Sequence, residues 1–305
     1  MKKELNSDLS ERSKRFAVVT ICTPSFIPGT MVMIYSFLKW NDWWQGEFVI
    51  LTDEVHLEME RCLSGFPRVK FKIIGDELLR RSKEVAQADN TGNIFESHFY
   101  SLELFNLRDY DKLFYVDSDI LVRGSFEPLF ELPDKMICVG DAMFYKDELR
   151  DGKNYTKHHP KFWEKKSKLW GDNFNAGLIL FDRCMATPKH YSDLVAMVHI
   201  NGYSKQAIRL QDQMIQNIYF RGLYKLVSAK YNFRLGIAEQ IKEKDSIELS
   251  EAVAIHYTAR RKPWLHHEAL HRISSEFLYY QAFLYWQEAW KEMLYDRHIE
   301  AFNES

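Results

Sequence analysis

Apolar positions in this chain fall in compact blocks separated by polar stretches. Residues 16–22 (FAVVTIC) form an unbroken, β-branched run closed by Thr23-Pro24-Ser25, which predicts a strand buried on both faces. Pro28-Gly29 opens a predicted helix over 30–40 (TMVMIYSFLKW), apolar around nearly its whole circumference and so expected deep in the fold. Strands are predicted at 48–51 and 69–73, with a polar helical stretch from about His56 and a helix from Asp76 to about Glu84. After a polar loop at 86–93 the pattern predicts a helix over 96–107, strands at 112–116 (KLFYV), 136–139 and 178–181, helices over 190–200 and 212–220, and a late strand at 252–256. Strand alternating with helix predicts an α/β fold around a doubly wound, mostly parallel sheet. The charged, aromatic stretch 145–170 reads as an insertion or lid.

From Leu265 onward the chain reads as a C-terminal helical appendage dense in aromatics. Three units are therefore expected: a polar leader at 1–15, the sheet domain at 16–264 and the aromatic segment at 265–305. In that last segment Phe277, Tyr280 and Leu284 share one helical stripe, and Tyr279, Phe283, Trp286 and Trp290 share another. So wide an apolar surface suggests burial against the sheet domain, a homo-oligomer interface or peripheral membrane contact. Membrane contact is the weakest of the three, because Glu276, Glu288, Glu292, Asp296 and Glu300 offset Lys291, Arg297 and His298.

Composition narrows the class. With 41 Lys plus Arg against 43 Asp plus Glu the formal charge is −2, which excludes a nucleic-acid binder carried by bulk charge. A hydrophobic share of 46% is enough to fill a large core. Four cysteines without a CxxC pair indicate neither a disulfide framework nor a cysteine zinc site, and a reducing, cytoplasmic setting is expected.

The strongest chemical signal is Asp117-Ser118-Asp119, directly after the strand KLFYV and before the apolar Ile120-Leu121-Val122. Ligands of open parallel sheets bind beyond the strands' carboxyl ends, and two carboxylates there suit a divalent cation held against phosphate oxygens. His256 ends a strand, and Lys262 follows six residues on, ahead of Pro263-Trp264. A neutral imidazole could complete the metal shell, and the lysine could neutralise phosphate; taken alone, the histidine is a structural residue. Asn175-Ala176-Gly177 opens an apolar strand and Gln211-Asp212-Gln213 opens a helix; singly, these read as a turn and an N-cap. Two rival chemistries also leave traces. His267-Glu268-Ala269-Leu270-His271 is a literal HExxH, the pattern of a zinc protease, and a DxD after an apolar strand also occurs in phosphatases of the haloacid-dehalogenase type.

Taken in order, FYVDSDILV (114–122), NAG (175–177), DQMIQN (212–217) and HYTARRKPW (256–264) resemble glycosyltransferase family 8, the glycogenin and lipopolysaccharide galactosyltransferase group, over about Val18 to Trp264. The resemblance implies a GT-A fold, a UDP-hexose donor, Mn²⁺ or Mg²⁺ as cofactor and transfer with retention of configuration. It makes 16–264 a nucleotide-sugar-binding catalytic domain. It implies Asp117, Asp119 and His256 as metal ligands, Lys262 on the diphosphate, and Asp141, Asn175, Asp212 and Gln213 around the donor sugar. Thr20, Thr23, Phe26, Ser118 and Gly177 complete the donor site, with Phe26 or Ile27 in the place of an aromatic over uracil. The acceptor, whether glycan, lipid-linked or protein, is not implied. Two positions depart from the family's pattern: Ser101 stands where a basic residue is usual, and Ala259 where a glycine is. The first keeps open a catalytically silent sugar-nucleotide-binding protein.

Overall fold

The computed structural model describes residues 15–89, 92, 94–146, 172–199, 211–258 and 262–303, and of residues 146, 211, 266–269 and 300–303 the main chain alone. Residues 1–14 of the leader, Asn90, Asn93, most of the stretch 145–170 and Ala259 lie outside these residues. A sheet of seven strands runs in the order β3-β2-β1-β4-β7-β6-β8. Its strands are β1 (Phe16–Ile21), β2 (Glu47–Thr52), β3 (Val69–Ile73), β4 (Lys112–Val116), β6 (Met136–Gly140), β7 (Phe174–Asp182) and β8 (Lys225–Val227). β1, β2, β3 and β4 are mutually parallel, as are β6 and β8, whereas β7 runs antiparallel to both β4 and β6. The periodicity could not show that reversal, since a strand buried on both faces carries the same apolar run in either direction. A smaller sheet pairs β5 (Ile120–Val122) antiparallel to β10 (Ala254–His256), with the two-residue β9 (Phe233–Arg234) parallel on the other side.

Local chemistry explains the main elements. Helix α1 (Ile27–Trp40) starts with proline in its first turn, where no amide hydrogen is needed, and it buries Val32, Met33, Ile34 and Phe37 completely. Its Ser36 Oγ accepts the Val122 N–H at 3.1 Å, tying it to β5. Gly29 is required by contact: a Cβ there would lie 2.4 Å from the Trp264 ring and 2.6 Å from the Ser118 carbonyl. The helix expected over 96–107 is instead an eleven-residue 3₁₀ helix, Glu96–Asn106. Such a long, tight helix needs outside support. Buried Phe99, Leu102, Leu104 and Phe105 supply part of it. Glu103 supplies more, fully buried, accepting from Gly75 N (3.2 Å), Asn106 Nδ2 (2.7 Å) and Tyr191 Oη (2.7 Å).

The C-terminal segment is two helices, His266–Ser275 and Phe277–Asn303, broken at the extended Glu276. The inner face of the second buries Ala282, Trp286 and Met293 in the core cluster that contains the inner residues of α1. Tyr257 Oη donates to the Ala282 carbonyl, and Tyr35 Oη to Asp296 Oδ2, each at 2.5 Å. The Phe277, Tyr280, Leu284 stripe faces outward, with Phe277 72% exposed. No helix among the described residues is long and apolar enough to cross a membrane.

Candidate active site at the sheet mouth

β4 and β5 carry Asp117, Ser118 and Asp119 in the three-residue turn between them, and β10 delivers His256 antiparallel to β5, opposite Ile120. Three potential ligand atoms of Asp117, Asp119 and His256 lie within 4.8 Å of one another, the group of this kind found among the described residues. His256 Nε2 stands 3.4 Å from Asp117 Oδ2 and 3.1 Å from Asp119 Oδ1. Lys262 Nζ pairs with Asp119 Oδ2 and donates to the Tyr257 carbonyl at 2.8 Å. Gly177 lets these groups approach: a Cβ there would meet His256 Cε1 at 2.4 Å and Asp117 Oδ2 at 2.6 Å.

Partners set the charge of each acid. Burial opposes ionisation of Asp119, but Lys262 and His256 outweigh it and hold the carboxyl well below the usual range. Burial and the Asp119 charge push Asp117 upward, against relief from His256 and from the Tyr115 hydroxyl that donates to it at 2.7 Å. Two hard oxygens and one imidazole nitrogen converging on one point form a donor set suited to Mn²⁺ or Mg²⁺. The residues present fit such an ion.

A second group adjoins the first. Asp212 lies in the first turn of the helix Gln211–Tyr219, where its carboxyl takes main-chain N–H bonds from Asp212 and Gln213, and its Oδ2 accepts from Ser101 Oγ and, at 3.4 Å, from Gln216 Nε2. Burial pushes this carboxyl up to about 7, the Ser101 hydroxyl working against the rise and the Asp117 charge adding to it. Ser101, the departure from the basic pattern, is thus fully buried beneath Asp212. Gln213 bridges inward, donating from Nε2 to Asp141 Oδ2 at 3.4 Å and accepting at Oε1 from Asn175 Nδ2 at 2.9 Å. Asp141 is 2% exposed and its other oxygen takes the Phe144 N–H at 2.9 Å.

The remaining expected donor residues spread along the same rim. Phe26 stacks edge-on against Trp264 at 5.4 Å, with Lys262 Nζ 5.5 Å from its ring centre. Thr23 lies at the exit of β1, its hydroxyl 3.3 Å from Ser25 Oγ, whereas Thr20 is buried within the strand. Ser118 is buried, its carbonyl against Gly29. The HExxH stretch falls on the helix His266–Ser275, where Leu270 is 63% exposed; the side chains of His267 and Glu268 lie outside the described residues.

Sequence reasoning passed over three residues. Tyr115 reads as one more apolar strand position, yet its hydroxyl touches Asp117. Asn232 is fully buried and contacts His256, and Arg234 is buried with Nη2 donating to the Gly140 carbonyl at 2.7 Å. Burial lowers the Arg234 pKa to about 10 while nearby Asp141 opposes that drop. The only sequence signal for the last two is a pair of polar residues flanking Phe233 in an otherwise apolar neighbourhood.

Residues 17–268 match the sequence profile of the family described as Glycosyl transferase family 8. The chain is similar to the glycosyltransferase GlyF of Streptococcus pneumoniae, 24% identical over 225 residues that cover 72% of this chain and 50% of GlyF. It is similar to galactinol synthase 1 of Solanum lycopersicum, 28% identical over 169 residues that cover 55% of this chain and 49% of the relative. The chain thus spans about half the length of these relatives. Its fold matches the galactosyltransferase LgtC, solved with donor and acceptor sugar analogues, at a TM-score of 0.63 and 18% identity, covering 81% of this chain and 89% of that one. The expected GT-A architecture, mostly parallel sheet and C-terminal helices, is the one observed.

Proposed function

Given that this chain belongs to glycosyl transferase family 8, we propose that it transfers a hexose from a UDP-sugar to an acceptor hydroxyl, with retention of anomeric configuration and with a divalent ion. The observation that carries this reading is the convergence of Asp117, Asp119 and His256 on one point beside Lys262. Mn²⁺ or Mg²⁺ held by those three side chains would offset the negative charge of the diphosphate leaving group.

The other roles follow from charge and position. Lys262 presents a buried ammonium to a phosphate oxygen as a point charge, and Phe26 offers a ring to the base. Asp141, Asn175 and Gln213 form a hydrogen-bonding wall for sugar hydroxyls. Asp212 places a carboxylate whose charge is poorly compensated next to that wall, where oxocarbenium-like charge on the sugar would be favoured. Attack comes from the leaving-group face with no protein nucleophile, the acceptor losing its proton to the departing phosphate. Residues 16–264 form the catalytic unit in this reading, and 265–303 brace it through Trp264 and Trp286, whose rings lie 5.8 Å apart.

UDP release from UDP-glucose and UDP-galactose, with and without Mn²⁺, tests the activity, and NMR of the product tests the stereochemistry. Turnover that needs the ion and yields the retained anomer is expected. Metal-independent turnover or an inverted product would overturn the reading.

A further inference from the structure

One line of hydrogen bonds joins the two groups of the site. His256 Nδ1 lies 2.9 Å from Asn232 Oδ1, Asn232 Nδ2 donates to Asn175 Oδ1 at 2.9 Å, Asn175 Nδ2 donates to Gln213 Oε1 at 2.9 Å, and Gln213 Nε2 reaches Asp141 Oδ2 at 3.4 Å. Which end of each amide is oxygen is fixed by main-chain donors that cannot be reversed. The Ala176 N–H points to Gln213 Oε1 at 3.2 Å, and the Gly177 N–H points to Asn175 Oδ1 at 3.2 Å. Turning Asn175 around would set its NH₂ against the Gly177 N–H. Turning Asn232 around would set two acceptors face to face at 2.9 Å in a site where Asn232 is fully buried, a loss of the full desolvation cost of both groups. Asn232 must therefore offer its oxygen to His256, and Nδ1 must carry a proton to meet it.

Building on the metal-site reading above, we propose that Asn232 is a positioning residue: with Asn175 it locks the proton of His256 on Nδ1, so that Nε2 is the ring nitrogen presented to a divalent ion between Asp117 and Asp119. Nδ1 donates in both the neutral and the charged imidazole, so only Nε2 is able to give up its proton to a metal. The main-chain amides of Ala176 and Gly177 act from β7 through two side chains to fix a tautomer on β10. An outer partner that fixes ring orientation and tautomer supports metal affinity by about 10–100-fold.

Long-range ¹H–¹⁵N spectra of the full chain without metal, taken at rising pH until one ring nitrogen alone carries a proton, read the tautomer directly, the His256 signals being identified by their loss in His256→Gln. The one remaining proton is expected on Nδ1, and a ring whose one proton sits on Nε2 would overturn the proposal. Mn²⁺ affinity by EPR of the free ion provides the second reading. Asn232→Ala should weaken binding about 10–100-fold. Asn232→Asp keeps an acceptor for Nδ1 but sets an oxygen against Asn175 Oδ1, so it should bind more weakly than the parent and more tightly than Asn232→Ala. Equal affinity of Asn232→Ala and the parent, or equal losses in both variants, would sink it. A protonated Nδ1 in a protein that binds no Mn²⁺ would uphold the fixed tautomer and remove the metal reading instead.

Discussion

Two aspartates of one site, Asp119 and Asp212, are held at opposite ends of the ionisation scale. Asp119 is 8% exposed but meets the Lys262 ammonium and the His256 ring, so its charge is compensated and stays in place. Asp212 meets neutral donors, those of Ser101 and Gln216 and the main-chain N–H groups of Asp212 and Gln213, and feels the charge of Asp117, so burial raises its pKa to about 7. The contrast separates two uses of a buried acid. One compensated by formal charge is a permanent anion, apt to bind a cation; one compensated by dipoles alone is an anion under strain, which gains most when positive charge develops nearby. The halves meet at Gly177, whose missing side chain leaves room for His256, Asp117 and Asn175 together.

The largest effects are expected in the charge-compensated half. Asp117→Asn and Asp119→Asn each remove an anionic ligand and should lower Mn²⁺-dependent transfer by about 10³-fold or more, and Asp119→Asn should also lower Tm because it leaves the buried Lys262 ammonium without its partner. Full activity of the double variant in EDTA would break the comparison, because the site would then need no cation.

Asp212→Asn probes the other half. Transfer should fall about 10²-fold in kcat with little change in KM, since the interaction is made with charge that develops during reaction. Stability should move the opposite way. The folded pKa is raised from the ordinary 3.8 to about 7, so the native state binds more protons than the unfolded chain between those values. Wild-type stability therefore declines as pH climbs from about 4 to about 7, and the amide removes that slope. Above pH 7 the variant should be more stable by on the order of a few kcal/mol, and below pH 4 the gap should close. Urea titrations at pH 4 and pH 8 check this, and identical midpoint differences at both would refute it.

Gly177→Ala strikes both halves at once. Its Cβ would have to displace His256 and Asp117 by more than flexible side chains in a buried cluster allow, so a stability loss of about 1–3 kcal/mol and weaker Mn²⁺ binding are expected together. Thermal unfolding and metal titration on the same sample decide, and a loss of stability with metal affinity intact would separate the halves.

How far the sequence foretold each half follows from the range of the signal involved. Strands β1, β2 and β4 and α1 were legible because burial writes itself into contiguous apolar runs, and β3 through the alternation of VKFKI; the apolar runs concealed the reversal of β7 and the 3₁₀ character of 96–106, whose Glu103 is held by the distant Tyr191 and Gly75. Asp117, Asp119 and His256 were legible through spacing and strand ends. Asn232 was not, since its partners His256 and Asn175 lie 24 and 57 residues away in the chain. In the C-terminal helix both stripes were legible, yet which of them faces the core emerges only from Trp264 and α1 meeting Trp286 and Met293.

The smallest effect, and the sharpest reading of the comparison, is expected at Ser101. Its hydroxyl donates to Asp212 Oδ2 and accepts from Gln216 Nε2 at 3.0 Å, so it stabilises the carboxylate over the acid. Ser101→Ala removes that donor, and the acidic limb of the pH–rate profile should move to higher pH. At pH 7 the rate should fall about three- to tenfold, recovering as pH rises, because one hydrogen bond to a charged group is at stake and no reacting atom is touched. Ser101→Lys places a formal charge where only a dipole stands. Asp212 would then be compensated as Asp119 is, the acidic limb should move to lower pH, and the donor preference between UDP-glucose and UDP-galactose should change. A profile and donor preference unaltered in both variants would mean that Ser101 neither sets the charge of Asp212 nor bears on the sugar, and that the contrast between the two acids arises from burial alone.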